Sequence, residues 1–309
     1  MRGGRFEADG GLLEFSSGEL LSRAYRARGI GAQVEVEVRA LLSQVNDSEF
    51  VSYDAPQPPY PRRRPTHLRD CFVQSPTVDS VVPFIRELTP ATFNQGATGV
   101  PEATPKAEVM IEFTGASNPT KKIAAWVPVT EEIVIDGPGL SAYINTRLVE
   151  MLYVREDAQI VAGNGVGASL SGILTDPLIQ TSSAGASKRE ALTIGISDVE
   201  DVEAAVDTVV LNPADAWAIF NAQPLWFEEL ADMGVRTVRT VAMAPGTALV
   251  GAFLQAAHLR IRKEATLRIA TQADDDFVSN KLKVLVELRE AFNVTAPDLL
   301  CAVTLPGTA

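Results

Sequence analysis

A helical stretch held between glycine breaks constrains this chain more than any other feature. Gly137-Pro138-Gly139 precedes it and Gly163 follows it. From about Leu140 to Ala162, Leu140, Ile144, Leu148 and Met151 or Leu152 recur at helical spacing, with Arg147, Glu150, Arg155 and Glu156 available to the other face. At ~1.5 Å per residue such a helix reaches roughly 30–35 Å, long for a globular protein. A helix of that length suits a mechanical strut, and Gly163 is the expected C-terminal stop.

The surroundings are those of an ordinary globular protein, with 46% hydrophobic and 21% charged residues in 309. That length allows one or two domains with a real core. No apolar run is long enough to span a bilayer, and the acidic and basic residues of the first thirty positions argue against a secretory signal. Cys71 and Cys301 form no CxxC pair and read as free, partly buried thiols. The net charge of −12 is uneven: residues 1–70 hold ten arginines against ten acids, so the rest carries the excess. A basic footprint for specific duplex binding is missing.

Residues 1–66 differ from the rest of the chain. They contain an alternating Val34-Glu35-Val36-Glu37-Val38 strand pattern and then five prolines between Ala55 and Pro65, which favour extended chain. Such a segment buries little by itself and is expected to reach over a neighbour. Arg62-Arg63-Arg64 reads as a contact for nucleic acid or for an acidic neighbour, against the plainer reading of a solvated linker.

Further along, Val109, Ile111 and Phe113 alternate with acids, Gly115 to Pro119 reads as a turn, and Lys122 to Val129 reads as the return strand of a long hairpin. Ser197 to Val209 is expected to be a second amphipathic helix capped by Ser197 or Asp198. Val209-Val210-Leu211 reads as a buried strand, and Pro213 as the start of a helix bearing Trp217, Ile219 and Phe220. Met233 to Arg236 reads as a loop tip. Leu259–Ala270 and Phe277–Leu288 read as strands, the latter in strict alternation at Leu282, Val284, Val286 and Leu288. Strands and helices mix without a βαβ repeat, which makes the class α+β.

Few residues suggest chemistry. Gly163-Asn164-Gly165-Val166-Gly167 follows a helix instead of opening one, so it is a helix exit and not a phosphate loop. Asp274-Asp275-Asp276 lacks the spaced partners of a calcium loop and reads as a solvated turn. No HExxH, GxSxG, Walker A or CxxC motif occurs, so no metal site or cofactor is expected.

The order of Lys121 to Leu174 resembles that of the major capsid proteins of tailed bacteriophages built on the HK97 fold: Lys-Lys-Ile-Ala-Ala-Trp-Val-Pro-Val-Thr-Glu-Glu, the Gly-Pro-Gly break, the long helix and the glycine-rich exit. Thr66–Asp70, Ser80–Glu87, Val210–Pro213 and Asp276–Pro297 match the same family. The resemblance implies an N-terminal arm over 1–65 and a peripheral P-domain over 66–176 and 263–309. That domain would carry an extended E-loop (about 90–128) and a spine helix (about 140–162), with an axial A-domain over 177–262. It implies pentamers and hexamers that close into an icosahedral head around double-stranded DNA, assembled in the bacterial host cytoplasm. The other implied partners are a portal protein and scaffolding or decoration proteins, with DNA contacted non-specifically and no membrane. The long charged scaffolding segment common in the family is not visible, so a separate scaffolding protein, or none, is expected.

Some members of that family cross-link themselves through a lysine, an asparagine and a glutamate. The resemblance puts Asn280 and Glu287 at the last two; the lysine falls on Lys106 by one alignment and on Val100, which cannot react, by the other. Such a reaction needs a neutral amine and a glutamate raised by an apolar site. Two other readings stand beside the phage head: an encapsulin-type nanocompartment shell on the same fold, and a globular enzyme of unfamiliar chemistry.

Overall fold

The computed structural model describes residues 66–87, 112–130, 138–270 and 280–307, together with the backbone of 4–8, 11–15 and 34–37. Arg62–Arg64, Val100, Lys106, the strand residues before Glu112 and Asp274–Asp276 lie outside the described residues. The chain divides into two compact units. One draws on Met1–Pro65, Lys122–Glu156 and Arg262–Glu290, the other on Thr66–Lys121, Asp157–Ile261 and Ala291–Ala309.

In the first unit, β1 (Gly4–Ala8) pairs antiparallel with β2 (Gly11–Phe15). The expected valine–glutamate strand is β3 (Val34–Glu37). In the second unit, β4 (Val73–Pro76) follows a short 3-10 turn at Leu68–Cys71, and β5 (Val81–Glu87) pairs antiparallel with β6 (Phe113–Pro119). Strand β7 (Lys121–Thr130) returns to the first unit, where the sheet order is β3, β12 (Ala257–Ala270), β13 (Lys281–Val294), β7.

The expected hairpin is therefore rearranged. Gly115–Pro119 is strand rather than turn, and β6 pairs with β5 while β7 joins β13. Thr120 extends the β5–β6 ladder one step beyond the Val81–Pro119 pair, its N–H donating to Ser80 O at 2.8 Å, before the chain passes into β7. Tertiary anchoring overrides the local turn chemistry: the Asn118 amide donates to Phe292 O at 2.8 Å and to Asn293 Oδ1 at 3.0 Å.

Helix α1 (Pro138–Ala162) matches the expected strut, and Gly163 N–H closes it on Gln159 O at 2.8 Å. It is not amphipathic in the expected sense. Glu150 and Glu156 are buried, as are Leu148, Val149, Leu152 and Tyr153, while Met151 is exposed. Asp157 on the same helix is buried too: it accepts from Leu68 N–H at 2.9 Å and lies 3.4 Å from His67 Nδ1. The buried carboxylates have partners, so burial of charge does not follow the period.

The helix exit is tight. Gly172 N–H donates to Gly163 O at 2.8 Å, and a Cβ on either glycine would come within 2.5 Å of the facing chain. Gly165 and Gly167 have φ of +70° and +61°, the left-handed region that glycine occupies cheaply.

A mixed sheet organises the second unit, in the order β10 (Arg236–Arg239), β9 (Thr208–Leu211), β11 (Thr247–Gly251), β14 (Leu300–Thr304), β8 (Gln180–Ser182). Its central strands are buried on both faces. Val210, Leu249 and Leu300 point into one core with Phe72, Phe253 and Phe292, and Val209, Val250 and Cys301 into another with Leu192, Trp226 and Leu230. Period two thus sends alternate residues to opposite cores, which explains the unbroken apolar runs.

Helix α2 (Lys188–Glu200) replaces the helix expected over Ser197–Val209. Its N-cap is Ser187, whose Oγ accepts from Glu190 N–H at 3.2 Å, while Glu190 reaches back to Ala186 N–H at 2.8 Å. Gly195 in its middle is a close approach: a Cβ there would meet Val303 at 2.3 Å. Helix α3 (Pro213–Ala222) starts where expected, Asn212 Oδ1 capping Ala214 N–H at 2.9 Å. Helix α4 (Trp226–Asp232) ends in the turn at Met233–Gly234. Buried Asp215 is paired with Lys188 at 2.7 Å.

Candidate functional site

Three strands of the first unit bring a charge cluster together around Glu287. On β13 its carboxylate is nearly buried. Lys263 of β12 donates to Oε1 at 3.1 Å, Arg268 of β12 lies at 3.7 Å and Lys122 of β7 lies 3.6 Å from Oε2. Burial alone would raise its pKa, but the Lys263 hydrogen bond and the charges of Lys263, Arg268 and Lys122 outweigh it and hold the carboxyl below its ordinary value. The environment is thus cationic instead of the apolar one a raised glutamate needs. Beside it, Lys283 stands 5.4 Å from the centroid of the exposed Trp126 ring.

Asn280 is exposed and has φ of +50°, a left-handed conformation that asparagine tolerates as a turn residue. It sits one residue ahead of β13, whose extended rise sets it about 23 Å along the chain from Glu287. Within one chain the two residues do not meet. Lys106 lies outside the described residues.

The second unit carries an open two-stranded ribbon, β5 with β6. Of its fourteen residues only Val82 is buried; Ile85 and Phe113 are 68% and 63% exposed. A lone ribbon is marginal in water. Its root, in contrast, is clamped. Arg86 makes a bidentate pair with Asp176, at 2.6 and 3.3 Å, and its Nε donates to Val294 O at 3.1 Å. At the other strand's end Lys121 Nζ donates to Gly167 O in the helix exit. The sequence singled out the segment holding Arg86 but gave no sign of its partner, because Asp176 is ninety residues away.

A second exposed apolar surface belongs to the same unit. A groove of about 430 Å³ is lined by Trp217, Phe220, Phe227, Val235 and Arg239, with the Arg239 guanidinium 5.6 Å from the Trp217 ring centroid. Met233, at the expected loop tip, is 69% exposed. The cysteines are inert: burial pushes the Cys71 and Cys301 thiols up to about 11, and both are free.

A family model described as the phage capsid family matches residues 73–305. The chain belongs to that family. It is 30% identical over 246 residues to the major capsid protein of Enterobacteria phage HK97, covering 75% of this chain and 63% of that protein. It thus spans a little under two thirds of the length of that relative. Among solved structures, a Mycobacterium phage Bobi chain superposes with a TM-score of 0.63 at 15% identity, covering 86% of this chain and 98% of that one. A capsid chain of an empty GTA particle gives 0.62 at 14%, covering 85% and 99%. A virus-like particle from Pyrococcus furiosus gives 0.57 at 13%, covering 77% and 91%. The α+β architecture is that of the HK97-type capsid fold.

Proposed function

We propose that this chain is the shell subunit of a tailed-phage head, forming pentamers and hexamers that close into an icosahedral capsid around double-stranded DNA. One observation carries the reading: the β5–β6 ribbon is clamped at its root yet leaves Val81, Ile85 and Phe113 uncovered. An anchored, apolar, two-stranded extension gains stability only by lying on another molecule. Identity to a phage major capsid protein makes a second copy the natural support. Ring closure then requires heterologous contacts between copies.

On this reading residues 66–176 and 263–309 form the peripheral domain, with the E-loop about 90–128 and the spine helix about 140–162. Residues 177–262 form the axial domain, its Met233–Thr237 tip turned toward the ring axis, and 1–65 form the arm. A portal protein at one vertex, scaffolding or decoration proteins, and non-specific DNA contacts complete the virion, which assembles in the host cytoplasm. Negative-stain microscopy of the purified chain tests this: spherical shells are expected. A compact monomer whose ribbon amides are protected from hydrogen exchange as fully as its core would overturn it.

The covalent link from the sequence is part of the same proposal. Lys106 Nζ of one copy attacks the side-chain carbonyl carbon of Asn280 on another, a C–N bond forms, and ammonia leaves with the proton that the amine gives up. Glu287 of a neighbouring copy would relay that proton. Asn280's exposed turn supports access, whereas the three cations around Glu287 make it a weak base. Boiled, reduced particles run on an SDS gel decide it: multimers are expected, and monomers alone end the idea.

A further inference from the structure

We propose that β10 is a docking edge: it takes up, as a further strand of its sheet, an extended segment of a separate protein in which apolar and acidic residues alternate. All the residues involved lie within the second unit, so the docking goes beyond the shell reading and needs no ring closure. Strand β10 ends the five-stranded sheet and pairs, in parallel, with β9 alone. Arg236 N–H donates to Asp207 O at 2.8 Å and Thr240 N–H to Leu211 O at 2.9 Å, so the even-numbered residues direct their main-chain groups to β9. Alternation turns the N–H and C=O of Thr237 and Arg239 the other way. Among the described residues no hydrogen bond takes them up. Such an edge is a template for an added strand.

The surroundings of the edge select its occupant. Val238 points into the core that holds Phe253, so Thr237 and Arg239 turn to the opposite face. There they border the groove of about 430 Å³ whose other walls include Trp217, Phe220 and Phe227. An added strand sets every second side chain into this groove, where the exposed Trp217 and Phe220 rings offer an apolar seat. The side chains between them fall on the face of exposed Arg236, whose Nη1 donates to the Asp70 carbonyl at 3.2 Å, an acceptor without net charge. With Arg239 stacked near Trp217, two guanidinium groups flank the seat, and carboxylates complement them. The helix wall excludes acids: Glu228 and Asp232 stand beside the lining Phe227 and Ala231 on α4, so only apolar groups suit that side. The β5–β6 ribbon of a second copy is a poorer match. Its fourteen residues hold one carboxylate, Glu87, at the clamped root.

A dye-labelled peptide alternating glutamate with phenylalanine tests the edge. It is titrated into the purified full-length chain, as dissociated subunits and as assembled particles, and read by fluorescence anisotropy. Saturable binding that weakens with salt is expected from both forms. Trp217→Ala should weaken it about tenfold, as loss of one aromatic anchor does. Thr237→Pro removes an outward N–H and leaves the ladder to β9 intact, so the urea midpoint should hold while binding falls. A fully N-methylated peptide should not bind. Arg239→Glu should lose the glutamate peptide and gain its lysine counterpart, which a folding defect does not do. Binding indifferent to Thr237→Pro and to N-methylation means a groove without strand addition and overturns the proposal. Absence of saturable binding to the folded wild-type subunit does the same. Binding to subunits but not to particles assigns the edge to a second copy and overturns the separate partner. The shell reading is decided apart from this, by whether particles form.

Discussion

Strands β9 and β6 belong to the same unit, are both short and extended, and end in opposite situations. All four residues of β9 are buried between two cores, Val210 facing Phe253 and its neighbours while Val209 and Leu211 face Leu192 and Trp226. Strand β6 and its partner β5 bury one side chain between them and present Ile85 and Phe113 to solvent. The first region is finished by its own chain. The second is fixed at its root by Arg86, Asp176 and Asn118 and finished by nothing in its own chain among the described residues. A shell subunit needs both: a body that folds before it meets a neighbour, and extensions whose stability depends on meeting one.

Substitutions can break this contrast. Leu249→Ala opens a cavity under the central strand and should cost about 2–5 kcal/mol in urea unfolding of the dissociated subunit. A loss below about 1 kcal/mol would mean that the sheet is not the rigid part. Arg86→Ala leaves the Asp176 carboxylate nearly buried and unpaired, with a loss of about 3 kcal/mol expected in the same assay. Arg86→Ala with Asp176→Asn should recover part of it. Shell yield should fall further than stability alone explains, because the ribbon root is freed.

Glu287 sharpens the comparison through pH. Its folded pKa is lowered, so its stabilisation is fully present above the unfolded value of about 4.3 and is lost as pH falls through the lower folded value. Wild-type stability should therefore slope downward below about pH 4.3, and Glu287→Gln should flatten that limb while weakening the neutral-pH state. The smallest change in stability comes from the ribbon: Phe113→Ala should shift subunit unfolding by less than about 0.5 kcal/mol, yet reduce shell yield by several-fold. Equal effects on both measurements would show that the ribbon is covered within its own chain.

Much of the architecture was legible in the order of residues. Alternation at Leu282, Val284, Val286 and Leu288 marked β13, Asn212-Pro213 marked the start of α3, and Gly163 marked the end of α1. The misses share one cause. Helix α2 begins at Lys188 because the Ser187–Glu190 cap and the Gly195 approach to Val303 fix it, and the later Ser197 and Asp198 looked equally able to cap. Gly115–Pro119 carries turn residues, but Asn118 is held extended by bonds to Phe292 and Asn293, more than 170 positions away. At the candidate site, Asn280 and Glu287 were visible as residue types, while the cations that reverse the expected pKa direction come from β7 and β12.

Local chemistry written in order along the chain therefore determined the family and the type of those elements whose periodicity, caps and breaks act over a few residues, such as α1, α3 and β13. Pairing partners, the burial of Glu150 and Glu156, the clamp at Arg86 and the charge state of Glu287 were decided only by the tertiary structure. Each depends on groups far apart in sequence, and the free energy of a buried charge or an edge strand is set by whatever the fold brings beside it.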